Sequence, residues 1–307
     1  MKQGTLKADI LLLMTATIWG FAFVAQRVGM DYVGPFTFNG VRFALGSLSL
    51  LPLILLLGKR QSQPKGIERI PVFKGALLAG LALFAGSSLQ QAGLVYTTAG
   101  NAGFITGLYV VLVPIVGLFW RQRPRVGTWI GAMLAVVGLY FLSVTSDFTI
   151  SFGDFLVLLA AFFWAGHVLL IGWLAPRTDP LKLASAQFAV CAALSLLTAL
   201  AVEQVSLQGI LDATVPILYG GLGSVGIAYT LQVIAQRDAH PAHSAIIMSL
   251  EGVFAALGGW WLLGEILTLR GLFGCGLMLA GMIVSELSVF FGQKKPDAAG
   301  ELSPVGE

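Results

Sequence analysis

Three ionisable side chains stand well inside long apolar stretches of this 307-residue sequence: Arg42, His167 and Glu251. A charged group in hydrocarbon costs about 2.5–3.5 kcal/mol on insertion scales, so each is a candidate for chemistry by default. Glu251 can take up and release a proton, which would link a conformational or solute-binding step to a proton gradient. It can equally be a static partner for Arg42 or a hydrogen-bonded helix contact. Arg42 carries a planar fork suited to a carboxylate or phosphate. The alternatives are a structural tie to a neighbouring helix, or a side chain that reaches the interface. His167 lies one helical turn beyond Trp164 and shares its face, where it would titrate near physiological pH or stay neutral and hydrogen-bonded.

Aromatic and amide side chains complete the inventory. Trp19 and Trp164 can form cavity walls for a planar or cationic ligand, or act as packing anchors. Gln90, Gln91, Asn101, Gln232 and Gln236 offer uncharged donors and acceptors that can fix a polar solute or join helices. Gly103-xxx-Gly107 and Gly127-xxx-Gly131 mark close helix approach, and Trp260-Trp261 reads as an interfacial belt. Enzymatic chemistry lacks its parts: there is no G-x-S-x-G, no H-E-x-x-H and no carboxylate pair at helical spacing. Cys191 and Cys275 stand alone in apolar segments, so no metal site, disulfide framework or cofactor is expected.

The elements that must position these residues are membrane helices. Hydrophobic residues make up 57% of the chain and charged residues 11%, with a mean hydropathy of +0.86. That composition cannot coat a soluble globule, so the lipid bilayer is the expected solvent. A net charge of +3 is small for this length and gives no nucleic-acid footprint. Windows of roughly 20 apolar residues fall at about 8–28, 36–57, 73–94, 99–120, 127–146, 154–175, 183–203, 214–236, 243–263 and 270–291. This predicts an all-α polytopic protein of ten spans. The first window has no small-residue cleavage site and reads as an uncleaved span.

Basic residues test the count, because Lys and Arg concentrate in cytoplasmic loops. With the N-terminus inside, the inner segments hold Lys2, Lys7, Lys59, Arg60, Lys65, Arg69, Lys74, Arg121, Arg123, Arg125, Arg177, Lys182, Arg237, Lys294 and Lys295. The outer segments hold Arg27 and Arg270 alone. Both termini are therefore expected in the cytoplasm, across an inner membrane. Residues 1–7 and a disordered tail, 292–307, flank the spans; Glu286 lies near the last interface.

A shift of about 145 residues aligns the chain with itself. Asp9 and Trp19 fall on Asp154 and Trp164, and Arg42-Phe43-Ala44 falls on Gln187-Phe188-Ala189. Further on, a shift of about 142 places Asn101, Phe104 and Leu108-Tyr109 on His243, Ile246 and Leu250-Glu251. Gly131 and Gly138 then meet Gly274 and Gly281. The repeats are 8–146 and 154–291. Five spans is an odd number, so the second copy enters the membrane from the other side, the inverted arrangement common among secondary transporters.

Ile18-Trp19-Gly20, Val41-Arg42-Phe43 and Thr98-Ala99-Gly100-Asn101-Ala102-Gly103-Phe104-Ile105 resemble the drug/metabolite transporter superfamily, in particular its EamA-type members. So do Ala242-His243-Ser244-Ala245, Ser249-Leu250-Glu251-Gly252-Val253 and Leu263-Gly264-Glu265. The resemblance covers about residues 8–291. It implies two inverted five-helix repeats around a cavity lined by spans one, three, four, six, eight and nine. It also implies transport of a small organic solute such as an amino acid, often outward. Against the family pattern, Arg121-Gln122-Arg123 stands where the second repeat has Gly264-Glu265, and Arg42 faces Gln187.

The expectation is a secondary transporter working by alternating access. Trp19, Gln90, Asn101, Tyr109, Trp164, His167, Gln232 and Glu251 are its substrate or coupling candidates. Arg42 and Gln187 are its structural intramembrane groups. A channel or a non-transporting scaffold is the competing reading.

Overall fold

The computed structural model describes residues 3–57, 70–120, 125–143, 149–174, 177–235 and 247–292. The fold is all helical. Its first half comprises α1 (Gln3–Gly29), α2 (Pro35–Ser49), α3 (Leu51–Leu57), α4 (Val72–Leu94), α5 (Ala99–Gly107), α6 (Tyr109–Val116) and α7 (Val126–Ser143). The second comprises α8 (Phe152–Leu174), α9 (Pro180–Val202), α10 (Leu207–Asp212), α11 (Thr214–Leu218), α12 (Tyr229–Ala235), α13 (Glu251–Leu263) and α14 (Leu269–Gly292). A π-helical stretch, Tyr219–Ala228, joins α11 to α12.

Among the described residues, eight stretches are long and apolar enough to cross a bilayer: Leu6–Gly29, Pro35–Leu56, Val72–Leu94, Ala99–Val116, Val126–Ser143, Phe152–Leu174, Pro180–Val202 and Thr214–Gln232. A shorter apolar stretch runs Leu269–Ser285. Of the ninth expected window, about 243–263, residues 247–248 are helical, 249–250 form a turn and α13 follows from Glu251; residues 243–246 lie outside the described residues. Gln236, Arg237, His243, Arg121, Arg123, residues 58–69 and residues 293–307 lie outside the described residues.

Burial is inverted relative to a water-soluble bundle. Leu55, Phe73, Trp261, Ile266 and Leu269 are largely exposed, whereas Thr15, Asn39, Gln90, Gln91 and Gln187 are buried. Water would penalise such an apolar exterior, and hydrocarbon accepts it while forcing polar groups inward.

Helix ends explain how neighbouring helices are held. Thr98 caps α5 by accepting the Asn101 N–H at 3.1 Å, and Asp179 caps α9 through Leu181 and Lys182, with Pro180 in the first turn. Gly264, at φ +66°, ends α13 in the left-handed conformation that only glycine adopts cheaply. The chain thereby folds back, and the Glu265 N–H reaches the Gly259 carbonyl at 3.0 Å.

The packing has matched pairs. α4 packs on α8, and the π-helical stretch with α12 packs on α1; α5 and α6 pack on α8, and α13 packs on α1. α7 with α14, α2 with α9, α4 with α9 and α5 with α13 are further large interfaces. Between α7 and α14 the contact is glycine on glycine. A methyl group on Gly138 would fall 2.6 Å from the Gly274 carbonyl oxygen, and one on Gly281 would fall 2.5 Å from that of Gly131. Because the obstacle is backbone, a side chain there must separate the helices. Gly138→Val is expected to destabilise the protein by about 1–3 kcal/mol, read as a lower thermal midpoint in detergent.

Candidate functional site

One end of the bundle gathers the C-terminal ends of α1, α4, α9 and α13 with the N-terminal ends of α2, α5 and α8. Three carboxylates tie these ends together. Glu203, just beyond α9, accepts the Phe36 and Thr37 N–H groups at 2.8 Å each and the Thr37 hydroxyl at 2.7 Å. Glu265, turned back by Gly264, accepts the N–H groups of Ala99 at 2.8 Å and Gly100 at 3.2 Å. Asp154, in the first turn of α8, accepts from the Thr97 hydroxyl and from Asn101 Nδ2 at 3.3 Å. Each carboxylate meets the positive end of a helix, where the free N–H groups and the macrodipole favour negative charge. Glu265→Ala is expected to cost about 1 kcal/mol, the scale of a lost cap, measurable as a lower thermal midpoint.

A pocket of about 520 Å³ opens at this end, lined by Arg27, Val28, Asp31, Tyr96, Thr97, Leu263 and Glu265 among others. Its rim holds an exposed ion pair, Arg27 to Asp31, at 3.2 Å. None of the substrate or coupling candidates lines it. Asn101, read above as a group that can fix a polar solute or join helices, donates to Asp154 near the pocket.

Deeper in the bundle, a continuous polar chain crosses five helices. Gln26 on α1 accepts at its Oε1 from Gln90 Nε2 on α4, at 3.1 Å, and its backbone carbonyl accepts from Gln91 Nε2 at 3.1 Å. Gln90 Oε1 in turn accepts from Trp164 Nε1 on α8 at 2.8 Å and from the Thr106 hydroxyl on α5 at 3.4 Å. Trp164 stands edge-on to His167, with ring centroids 5.9 Å apart. His167 shares a 2.8 Å hydrogen bond with Gln187 on α9, which is buried. Trp164, Gln90, His167 and Gln187 thus belong to one assembly that joins both halves.

Trp19, Gln232 and Glu251 form a second group. Trp19 donates from Nε1 to the Ser224 carbonyl in the π-helical stretch at 3.1 Å, and Gln232 Nε2 approaches Met248 Sδ at 3.4 Å. The neighbouring Gly20 lets α1 lie against the first turn of α13: a methyl group on it would be 2.7 Å from the Glu251 carbonyl oxygen. Glu251 is only 4% exposed, and its Oε1 has no hydrogen-bond partner among the described residues.

Arg42 stands apart from Glu251. It is 4% exposed, donates from Nε to Asn39 Oδ1 on its own helix at 2.9 Å, and lies over the Phe43 ring at 4.7 Å and the Phe38 ring at 5.6 Å. Asn39 in turn donates to the Ser87 carbonyl on α4 at 3.0 Å, so the tie to a neighbouring helix runs through Asn39. Among the described residues Arg42 forms no ion pair. The static Arg42–Glu251 pair weighed above does not form.

The two helices carrying Tyr109 and Glu251 are both broken immediately before those residues. In the first half, α5 ends at Gly107 and α6 starts at Tyr109, with the Leu108 N–H bonded to the Ile105 carbonyl at 3.2 Å. In the second half α13 starts at Glu251, with the Leu250 N–H bonded to the Ile247 carbonyl at 3.2 Å. Both breaks are local tightenings to three-residue bonding. They fall on Leu108-Tyr109 and Leu250-Glu251, the dipeptides aligned by the internal repeat. Gln26, Asp154 and Glu203 were not singled out as functional from sequence. A Gln within four residues of a span end, or an acid at a span boundary, is the signal each left.

Comparison with known proteins gives the same picture. A model of the EamA-like transporter family matches the chain twice, over residues 6–144 and 151–287. An uncharacterized transporter of Archaeoglobus fulgidus is 36% identical over 291 residues, covering 92% of this chain and 87% of its own. The uncharacterized inner membrane transporter YedA of Escherichia coli K12 is 26% identical over 298 residues, covering 92% and 91%. A solved crystal structure shares the fold with a TM-score of 0.64 at 17% identity, over 92% of this chain and 98% of that one. This membrane protein therefore belongs to the EamA-like transporter family, whose domain it carries twice.

Proposed function

We propose that the protein is a secondary transporter of a small organic metabolite, such as an amino acid or a drug-like solute, across the inner membrane. It works by alternating access between two inverted five-helix halves, 8–146 and 154–291, with ten spans and both termini in the cytoplasm. Transport is outward, and Glu251 carries the coupling proton. The observation that carries this reading is the pair of helix breaks at Leu108 and Leu250. Discontinuous helices at corresponding positions of two halves mark the solute and coupling-ion site in many transporters. Here they present Tyr109 in one half and Glu251 in the other, and Glu251 Oε1 is buried without a partner. The opposed directions of α1, which ends at the pocket, and α8, which starts there, support the inversion. The Lys and Arg distribution supports the orientation.

A metabolite comparison of cytosol and medium tests direction and cargo together. Overproducing cells are expected to deplete one solute internally and enrich it outside, with the reverse in deletion cells. A solute that moves the other way would reverse the direction, and no reciprocal solute would remove the transport reading.

A further inference from the structure

The polar chain on α4 has a counterpart on α12 that is only partly assembled. At the repeat shift of 142, Leu89-Gln90 falls on Leu231-Gln232, and Thr106 falls on Met248. Both pairs are in contact. Thr106 donates to Gln90 at 3.4 Å, and Gln232 Nε2 meets Met248 Sδ at 3.4 Å. Trp164 and Trp19 correspond at the shift of 145. Their partners do not. Trp164 Nε1 closes on Gln90 at 2.8 Å, whereas Trp19 Nε1 turns to the Ser224 carbonyl, and Gln232 Oε1 makes no hydrogen bond among the described residues.

Gln90 lies four residues before the pocket-end terminus of α4, and Gln232 lies three residues before the opposite terminus of α12. The tryptophan contact is thus made with the glutamine that lies toward the pocket end of the bundle and left unmade with the one that lies toward the other end. We infer that Trp164–Gln90 and Trp19–Gln232 are two exchangeable latches, one for each side of the membrane, and that this structure has the pocket-side latch shut. This rests on the alternating-access reading. When the halves exchange conformations, Trp164 leaves Gln90, and Trp19 leaves the Ser224 carbonyl for Gln232 Oε1. The π-helical stretch supplies the means for that move. Its lengthened turns differ from the α-helical bonding of the corresponding part of α4, and such segments recur at functional sites. Gln26, which braces Gln90 from α1, corresponds to the apolar Ile171 at the shift of 145. The pocket-side latch therefore has one more hydrogen bond, which favours the state seen here.

Hydrogen–deuterium exchange on the full-length protein in lipid nanodiscs tests this without any solute, comparing residues 86–94 with residues 229–235. Trp164→Phe removes the donor and keeps an aromatic ring. It is expected to raise exchange in 86–94 about 2- to 10-fold, the scale of one neutral hydrogen bond, and to lower it in 229–235. Gln90→Leu should do the same, while Trp19→Phe and Gln232→Leu should leave 86–94 unchanged or slower. Faster exchange of both segments in Trp164→Phe would mean lost packing alone and would overturn the latch, as would no change in either. Solute exchange by the wild-type protein is measured in parallel. Flux without the opposed exchange pattern removes the latch and keeps the transporter, whereas absent flux removes the transporter reading itself.

Discussion

Glu251→Gln protein, reconstituted in liposomes, is expected to retain solute exchange while losing accumulation driven by a proton gradient by about tenfold or more, a loss of roughly 1.4 kcal/mol or greater in coupling. The substitution keeps the size and hydrogen-bonding capacity of the side chain and removes the exchangeable proton. Its surroundings make that difference decisive. Glu251 is buried at the first residue of α13, its Oε1 has no partner among the described residues, and Arg42 is bound elsewhere, to Asn39 and two phenylalanine rings. With no ion-pair partner among the described residues, the carboxyl is suited to be loaded and unloaded as the halves move. Gradient-driven transport with unchanged pH dependence in the Gln variant would remove Glu251 from the coupling step.

Asp154→Leu is expected to have the largest effect on folding. Asp154 is 1% exposed and accepts from the Thr97 hydroxyl and Asn101 Nδ2 at the junction of α4, α5 and α8. An apolar replacement removes two hydrogen bonds that the half-buried Thr97 hydroxyl and Asn101 amide make to a charged group, at about 1.5–3 kcal/mol each. It also removes the negative charge from the first turn of α8. A loss of about 3 kcal/mol or more should appear as a collapse of monodisperse protein in detergent. Asp154→Asn keeps one carbonyl acceptor and should recover part of the yield. Equal yields of the wild-type and Leu proteins would show that this junction does not hold the helices together.

The architecture was legible because membranes impose coarse rules. Apolar windows located α1, α4, α8 and α9 to within a few residues, since hydrocarbon requires every backbone group to be bonded within its own helix. Tyr96-Thr97-Thr98 separated α4 from α5 because Thr98 is a good N-cap. The repeat shift brought Leu108-Tyr109 onto Leu250-Glu251, and both proved to be helix breaks. The breaks themselves were hidden. The residues around them, Thr106-Gly107-Leu108-Tyr109 and Met248-Ser249-Leu250-Glu251, do not distinguish one tightened turn from a regular one, so a single span was expected over about 99–120.

The candidate site was read less completely for a physical reason. Residue type shows which groups can bond, and tertiary geometry decides which do. Gln90 and Trp164 were both named, yet their mutual hydrogen bond depends on α4 crossing α8 within side-chain reach. Asn101 was read as able to fix a solute or to join helices, and the sequence did not show that the N-terminal turn of α8 brings Asp154 beside it. The Leu263-Gly264-Glu265 motif acquired a mechanical meaning only in three dimensions: Gly264 turns the chain so that Glu265 caps α5, a helix more than 160 residues earlier in the chain. The corresponding Arg121-Gln122-Arg123 of the first half carries no such acid.

Solute counterflow in proteoliposomes tests the transporter reading most directly. Vesicles containing the purified protein are loaded with the solute found by metabolite comparison, and labelled solute is added outside at trace concentration. Alternating access predicts transient accumulation of label above equilibrium, saturable by external unlabelled solute, because one site is exposed to one side at a time. Label that enters only to equilibrium at a rate proportional to its concentration would identify a channel, and label that does not enter faster than in protein-free vesicles would leave a scaffold.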